Sequence, residues 1–385
     1  MSEEFAEYDA SHIQLLEGWE AVRKRPGMYI GSSGERGLLN MVFEVADRAV
    51  NELLAGRASS VEVTLTPDGG VRVADDGPET PIDEAGGTGG PELEALLTQI
   101  QAATGPSGRH DVALSPFGVG PFVVNALSRR MTAEVRREGV RWVQEYARGV
   151  AVTELSEAGT ATGSGTTIAF WPDTDIFETG EFSFDALAAR FRELAFLNRA
   201  LDISLIDRRR PDESRSARFR FPGGARDFVA FLDTGTAAPV LTETIAFELE
   251  DPRMAGTVEV ALRWCDSHEE RLRSFANSRP TAGGTHELGF RDGVVAAVNA
   301  YARERLLTDT EPGLDADRIG EGLTAVVSVK LDHPEFEGST RGVLGNPQVR
   351  TCVGQAVQEH FGTWLEEHPE QASALVGRMQ GTRRH

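Results

Sequence analysis

The feature that most constrains this chain is a helical pattern in residues 41–53. Its apolar residues recur at helical spacing and are Val42, Val45, Ala46, Ala49, Val50 and Leu53. Its polar residues lie on the opposite face and are Glu44, Asp47, Arg48 and Asn51. The spacing predicts an amphipathic helix with Glu44 one turn from Arg48, so that a carboxylate faces a fixed cation and can pair with it.

Length and composition indicate a globular protein of about two domains. The chain has 385 residues, of which 40% are apolar and 26% charged. No run approaches the roughly 18 consecutive apolar residues that a membrane span needs, and the start MSEEF does not resemble a signal peptide. We therefore expect a cytoplasmic protein. Cys265 and Cys352 lie far apart without metal-ligand spacing, which predicts two buried packing residues.

The charge of the chain argues against DNA as a strong partner. The formal net charge is −21, and phosphate binding needs clustered cations. One dense arginine run, at 208–210 and again at 215, 218 and 220, surrounds turn residues 211–214. We interpret it as a solvated hairpin rather than a nucleic-acid contact.

The order of elements predicts an α+β protein. Residues 61–65 and 71–73 alternate apolar and polar around a turn at 67–70, which predicts a β-hairpin that ends near Asp75. Gly-rich composition predicts loops at 84–91 and 103–108, the second resembling a mobile lid. Further predicted elements are helices at 93–100, 184–196, 289–307 and 348–364 and strands at 257–264 and 325–331.

Several motifs in this order resemble bacterial gyrase B proteins. They are YDASHIQLLEGWEAVRKRPGMYIG at 8–31, VNALS at 124–128, AFWP at 169–172, GGTH at 283–286, GFR at 289–291 and EGLTAVVSVK at 321–330. The resemblance covers nearly the whole chain. It implies a GHKL-type ATPase domain, with helices layered over a mixed sheet, at 1–222, and a ribosomal S5-like transducer domain at 223–385.

The resemblance also carries expectations about assembly. Tyr8 and Ile13 match residues that the family's N-terminal arm hands across a dimer to the nucleotide, which implies a homodimer. The family's DNA-cleaving parts have no counterpart in these 385 residues, so we expect that the chain by itself is not a topoisomerase.

The adenine half of the family's site is retained. Glu44 matches the glutamate that polarises the attacking water, and Asp75 matches the aspartate that accepts the adenine amino group. Thr166 matches the threonine beside that aspartate, and Arg137 an arginine at the pocket mouth. On this half alone, ATP could bind without Mg²⁺.

The phosphate half departs from the family pattern. Arg48 replaces the asparagine that ligates Mg²⁺, and a guanidinium repels a cation, so we expect no metal at this position. The family's second glycine after the aspartate is Glu79, and its arginine is Pro78.

The family's phosphate-cradling loop reads LSPFGVG at 114–120. Gly118 and Gly120 are kept and can still offer amides to an anion, whereas Pro116 and Phe117 make the loop more apolar. Arg341 stands where the family's transducer lysine touches the γ-phosphate.

Three functions remain open from the sequence. The first is a pocket remade for a less anionic, partly apolar small molecule, in which Glu44 and Arg48 supply polarisation or proton transfer as in a biosynthetic enzyme. The second is a non-catalytic protein that binds the gyrase A subunit or gyrase-directed antibiotics. The third is a weak ATP-hydrolysing clamp on DNA.

Overall fold

The computed structural model describes residues 18–78, 80–82, 92–99, 108–109, 112–234, 240–241, 243–305, 313–338 and 342–381. These residues form a mixture of helices and two large sheets, which confirms the predicted α+β class. None of the helices in the described ranges is long and apolar enough to cross a membrane.

The first sheet belongs to the amino-terminal part of the chain, which we call the first unit. Its strands are β1 Val61–Leu65, β2 Val71–Asp75, β3 Ser128–Arg137, β4 Val140–Ala147, β5 Val150–Ala151, β6 Ser156–Thr160, β7 Gly165–Pro172, β8 Ile203–Asp207 and β9 Arg215–Phe219. Their order is β5-β4-β3-β7-β2-β1-β8-β9, with β6 beside β4. The pairing of β1 with β8 is parallel and the others are antiparallel, so the sheet is mixed as expected.

The helices of the first unit are α1 Gly18–Lys24, α2 Gly27–Ile30, α3 Glu35–Leu54, α4 Glu92–Thr98, α5 Pro121–Ala126 and α6 Phe184–Leu197. Helix α3 packs against β1 and β2, and α6 packs against β8 and β9. The six apolar residues that predicted α3 are all buried, so the amphipathic helix is confirmed. The predicted β-hairpin is confirmed by the register of β1 and β2, in which Val61 pairs with Asp75.

The second sheet and its helices form the second unit. Its elements are α7 Ala225–Leu232, β10 Ile245–Asp251, β11 Gly256–Trp264, β12 Arg271–Ala276, β13 Arg279–Pro280, α8 Thr285–Arg305, α9 Ala316–Gly320, β14 Leu323–Leu331, β15 Phe336–Glu337, β16 Val343–Leu344, α10 Pro347–Glu367 and α11 Pro369–Gly381. The strand order is β10-β11-β14-β12-β13, while β15 and β16 form a separate pair.

Residues alternate between the two faces of β11, as the period of two requires. Val258, Val260 and Leu262 join the core that contains α8 and α10, whereas Ala261 joins a cluster with α7 on the other face. The predicted boundary at 222/223 lies between β9 and α7, and it stays a prediction.

The arginine run forms the β8–β9 hairpin, and the interpretation as a hairpin is confirmed. Four of its arginines have acidic partners, in the pairs Arg209–Asp207 at 2.6 Å, Arg210–Glu213 at 3.2 Å, Arg215–Asp185 at 2.6 Å and Arg218–Asp202 at 2.5 Å. The positive charge of these four side chains is therefore neutralised within the fold. Cys265 and Cys352 are both buried, as predicted.

Candidate functional site

Helix α3 brings Glu44 and Arg48 to the helix-facing side of the first sheet. On that side Asp75 closes β2, and Thr166 lies near the start of β7. In the antiparallel pairing of β2 with β7, Val73 lies opposite Ile168. Asp75 comes two residues after Val73, and Thr166 two residues before Ile168, so the side chains of Asp75 and Thr166 lie on the same face of the sheet. The fold therefore assembles Glu44, Arg48, Asp75 and Thr166 in one place.

The guanidinium of Arg48 points away from Glu44 and into the space between α3 and the sheet. Its Nη1 lies 3.2 Å from Asp75 Oδ2, and its Nη2 donates to Thr166 Oγ1 and to the Pro78 carbonyl oxygen, each at 3.1 Å. The predicted pairing of Arg48 with Glu44 is wrong, because the long side chain reaches the buried carboxylate at the end of β2. Arg48 thus engages the two residues that the resemblance assigns to adenine.

The Asp75 carboxylate is buried and shared between two donors. Its Oδ1 accepts the Gly77 N–H at 3.1 Å, while Oδ2 faces Arg48. Burial raises the pKa of Asp75 above its usual range, and the Arg48 guanidinium opposes that shift. Burial therefore disfavours the charged form of the Asp75 carboxyl group, and the ion pair with Arg48 stabilises that form.

Little room remains around this ion pair. The space lined by Val45, Arg48, Ala49, Val73, Asp75, Thr166 and Ile168 has a volume of about 10 Å³. A cavity of that size holds about one water molecule. Arg48 and Asp75 both line this small space.

Glu44 has a different set of contacts and is only 3% exposed. Its Oε2 accepts the Gly120 N–H at 2.7 Å, and within the described residues its buried Oε1 has no hydrogen-bond partner. Burial raises the pKa of Glu44, against donors from Ser115 and from the amides of 118–120. Glu44 is therefore a buried carboxyl group with one oxygen free to accept a donor.

The loop before α5 is shaped by its two retained glycines. Gly118 has φ +59° and Gly120 has φ +75°, in the left-handed region that favours glycine. Pro116 is exposed, and the half-buried ring of Phe117 packs on Gly31, close enough that a Cβ at Gly31 would lie 2.7 Å from it. The amide of Gly120, expected to be available to an anion, is already used by Glu44.

The sequence predicted Arg137 as a site residue and gave no sign of its neighbour Arg136. Val135 pairs with Thr166, so Arg137 lies on the site face of β3, where it also pairs with Glu138 at 3.5 Å. Arg136 lies on the opposite face and donates from Nη2 to the Asp75 main-chain oxygen at 2.8 Å. The pairing of β3 with β7 was needed to find this contact, because no sequence motif marks it.

The remaining predicted site residues lie outside the described residues. They are Tyr8, Ile13, Glu79 and Arg341. The same holds for the predicted loop at 84–91 and for residues 103–107 of the predicted lid.

A magnesium ion, which the resemblance implies for this fold, does not fit the residues present. Mg²⁺ requires hard oxygen ligands in near-octahedral geometry. Position 48 carries a guanidinium instead of an oxygen ligand, and Glu44 Oε2 is held by an amide. Elsewhere in the described ranges, no group of three or more His, Cys, Asp or Glu side chains is arranged to hold a metal ion.

A mixed sheet that ends in Asp75 and Thr166 under a helix with a buried glutamate, followed by a second α+β unit, is the arrangement of the ATPase and transducer region of the GHKL class. A family model of DNA gyrase B matches residues 224–385. The 43K ATPase domain of Thermus thermophilus gyrase B, solved with an aminocoumarin, superposes with a TM-score of 0.80 at 34% identity, covering 95% of each chain. The chain belongs to the DNA gyrase B family.

Curated relatives agree with this assignment. The DNA gyrase B protein of Streptomyces coelicolor is 44% identical over 390 residues, which cover 96% of this chain and 57% of that protein. The novobiocin-sensitive DNA gyrase B protein of Streptomyces niveus is 41% identical, with the same two shares. The chain thus spans little more than half the length of these relatives.

Proposed function

We propose that this protein is a gyrase-B-like module that does not turn over Mg-ATP, because Arg48 occupies its adenine pocket. The observation that carries the proposal is the contact of one guanidinium with Asp75, Thr166 and the Pro78 carbonyl oxygen. Asp75 is the acceptor that the resemblance assigns to the adenine amino group, and Thr166 is the threonine beside it.

The energetics of the pocket support this proposal. The bond between Arg48 and Asp75 joins two charged groups, and such bonds are roughly twice as strong as neutral ones. An adenine amino group would replace it with a neutral donor and would leave the Asp75 charge uncompensated in a buried place. To bind, ATP would therefore have to break the Arg48–Asp75 ion pair, which is a stronger interaction than the hydrogen bond from the adenine amino group to Asp75.

We further propose that the protein acts through protein partners. Membership in the family supports a homodimer through the amino-terminal segment that contains Tyr8 and Ile13, and it supports contact with a gyrase A subunit. The Thermus thermophilus relative was solved with an aminocoumarin, so a gyrase-directed antibiotic is a further partner to test, and its binding in this pocket would require Arg48 to move out. Light scattering on the protein alone measures the homodimer, and light scattering on its mixture with gyrase A measures the complex. A monomer mass for the protein alone, together with no mass above those of the separate proteins in the mixture, would refute the proposed partners.

A second candidate is an enzyme that acts on a small molecule other than ATP. Glu44 favours this candidate, because its carboxyl group is buried, has a raised pKa and has no hydrogen-bond partner at Oε1. A general acid or base commonly has these properties. A phosphate-free compound that raises the Tm of the protein, but not that of Glu44→Gln, would support it. A weak ATP-driven clamp, the third alternative, requires Arg48 to swing out of the pocket.

Calorimetric titration with a non-hydrolysable ATP analogue, with and without Mg²⁺, tests the main proposal. We expect no binding by the unmodified protein and measurable binding by Arg48→Asn, a gain of at least tenfold. Arg36→Asn, an exposed position on the same helix, is the matched control and should behave like the unmodified protein. Tight Mg-dependent binding before any substitution would overturn the proposal.

A further inference from the structure

The hydroxyl group of Thr166 makes three hydrogen-bonding contacts beside Arg48. Its Oγ1 accepts an N–H from Arg48 Nη2 at 3.1 Å and the main-chain N–H of Thr80 at 3.1 Å. The third contact joins Thr166 Oγ1 to Thr80 Oγ1, also at 3.1 Å. Thr80 is 4% exposed and Thr166 is 3% exposed, so the two hydroxyl groups meet inside the fold.

These contacts fix the direction of the bond between the two hydroxyl groups. A threonine hydroxyl has two acceptor lone pairs and one proton to donate. The N–H groups of Arg48 and Thr80 use both lone pairs of Thr166 Oγ1, so Thr166 must donate its proton to Thr80 Oγ1. Thr166 therefore presents only a lone pair to the guanidinium of Arg48.

With that proton committed, the groups around the guanidinium are acceptors. Apart from Arg48, the polar residues in the described lining of this space are Asp75 and Thr166. The Pro78 carbonyl oxygen lies 3.1 Å from Arg48 Nη2 and adds a third acceptor. A guanidinium matches this set, because it carries five N–H donors in a planar fork and no acceptor. Adenine matches it less well, because beside its amino group it has a ring nitrogen that accepts, and the Thr166 proton is turned away from that nitrogen.

We infer that Thr80 is a specificity-determining residue, whose hydroxyl takes the Thr166 proton and leaves a site that recognises a guanidinium or amidinium group rather than adenine. The inference rests on the proposed function and names the ligand class of the same site, which is a small planar cation. Arg48 fills the place of that cation from within the chain.

The selection comes from position 80 and not from Thr166. The resemblance matches Thr166 to a threonine of an ATP-binding family, so that threonine alone does not exclude adenine. Residues 75–81 resemble the family sequence DDGRGIP, in which the position of Thr80 is an isoleucine. An isoleucine has no hydroxyl to take the proton, and the Thr80 hydroxyl is therefore a difference between this chain and the family pattern.

Removing the Arg48 side chain opens the site to probes. In Arg48→Ala, ethylguanidinium replaces the missing atoms, and we expect NMR titration to show binding at least tenfold tighter than in the unmodified protein. Adenosine, which carries no phosphate, is the second probe, and the ratio of the two dissociation constants measures the preference. No gain for ethylguanidinium in folded Arg48→Ala would overturn the inference.

The same ratio tests Thr80. Thr80→Val keeps the shape but removes the hydroxyl, so the Thr166 proton is free to turn toward the site. In the Arg48→Ala background we expect Thr80→Val to weaken ethylguanidinium and to tighten adenosine, which changes the ratio at least tenfold. Thr80→Ser keeps a hydroxyl and should leave the ratio unchanged. An unchanged ratio in Thr80→Val, including an equal loss of both probes, would mean that Thr80 serves packing alone and would overturn the inference.

Thr64→Val is the matched control in the same background. Thr64 is also 4% exposed, but it lies in β1, where its hydroxyl donates to Glu62. Its substitution should leave the ratio unchanged, and a change as large as that of Thr80→Val would overturn the assignment to Thr80. If the unmodified protein already binds adenosine, the proposed function fails, whereas the change of ratio between the Arg48→Ala variants still decides the role of Thr80.

Discussion

At the scale of single residues, the contacts of the site depend on which partner each charged side chain of α3 can reach. The helix places Glu44 and Arg48 on one face, and from the sequence alone the two could pair with each other. In the fold each finds a better partner, since Glu44 meets the Gly120 amide and Arg48 meets the Asp75 carboxylate. The helix was predictable from periodicity, but these partners were not, because they come from elements far away in the sequence.

The pair formed by Arg48 and Asp75 should be measurable as a coupling energy. Arg48→Ala leaves a buried carboxylate without its cation, and we expect a loss of about 1–2 kcal/mol, discounted because the Arg48 side chain is 27% exposed. Asp75→Asn should cost less when Arg48 is already absent. Urea unfolding of both single variants and the double variant gives the coupling, expected at about 1 kcal/mol. Purely additive losses would mean that the ion pair contributes nothing to stability.

At the scale of elements, periodicity predicted the long helices and strands, and the structure confirms them with shifted ends. The helix predicted from 289 begins four residues earlier as α8, directly after Gly283 and Gly284, whose φ angles of +121° and +132° fit the turn that precedes it. Strands β10 and β12 were not predicted. Strand β12 pairs in parallel with β14, and that partner is fixed only by the tertiary fold.

The first turn of α8 carries a buried imidazole. His286 is fully buried, and its Nε2 lies 3.0 Å from Thr281 Oγ1, which in turn lies 2.8 Å from Ser274 Oγ. Burial lowers the pKa of His286 from 6.5 to about 4, because the charged ring would lose its hydration. The neutral ring is therefore part of the folded state.

This burial predicts a pH dependence of stability. The unfolded chain binds the proton more tightly, so the contribution of His286 is present above about pH 6.5 and is lost as the pH falls toward 4. The difference in pKa corresponds to about 3 kcal/mol. Urea unfolding between pH 7 and 4 should show a smaller fall for His286→Asn than for the unmodified protein. Parallel curves for the two proteins would show that His286 does not titrate as its burial requires.

At the scale of the whole molecule, an apolar cluster joins the two units. Phe196, in the last turn of α6, stacks on Phe228 of α7 at a centroid distance of 4.7 Å, and Phe228 contacts Phe275 of β12 at 5.8 Å. Polar contacts surround the cluster, because Lys330 donates to Asn198 Oδ1 at 3.0 Å and Arg199 pairs with Glu259 at 2.6 Å. The resemblance predicted two domains. Of the residues that join them, Lys330 ends the motif at 321–330, whereas the three aromatic residues lie in none of the quoted motifs.

Removing Phe228 should uncouple the two units. Phe228 is 4% exposed, and a buried Phe→Ala change costs about 3–5 kcal/mol. Because the stacking of Phe228 on Phe196 lies between the units, its loss should let each unit unfold at its own temperature, and calorimetry should resolve two transitions where the unmodified protein has one. Phe361→Ala is the matched control, since Phe361 is fully buried within the core of the second unit, where it stacks on Trp264. The control should lower the stability of the second unit without removing any contact across the cluster. A single sharp transition in Phe228→Ala would mean that the polar contacts of Asn198 and Arg199 suffice to couple the units, and that the aromatic cluster serves packing alone.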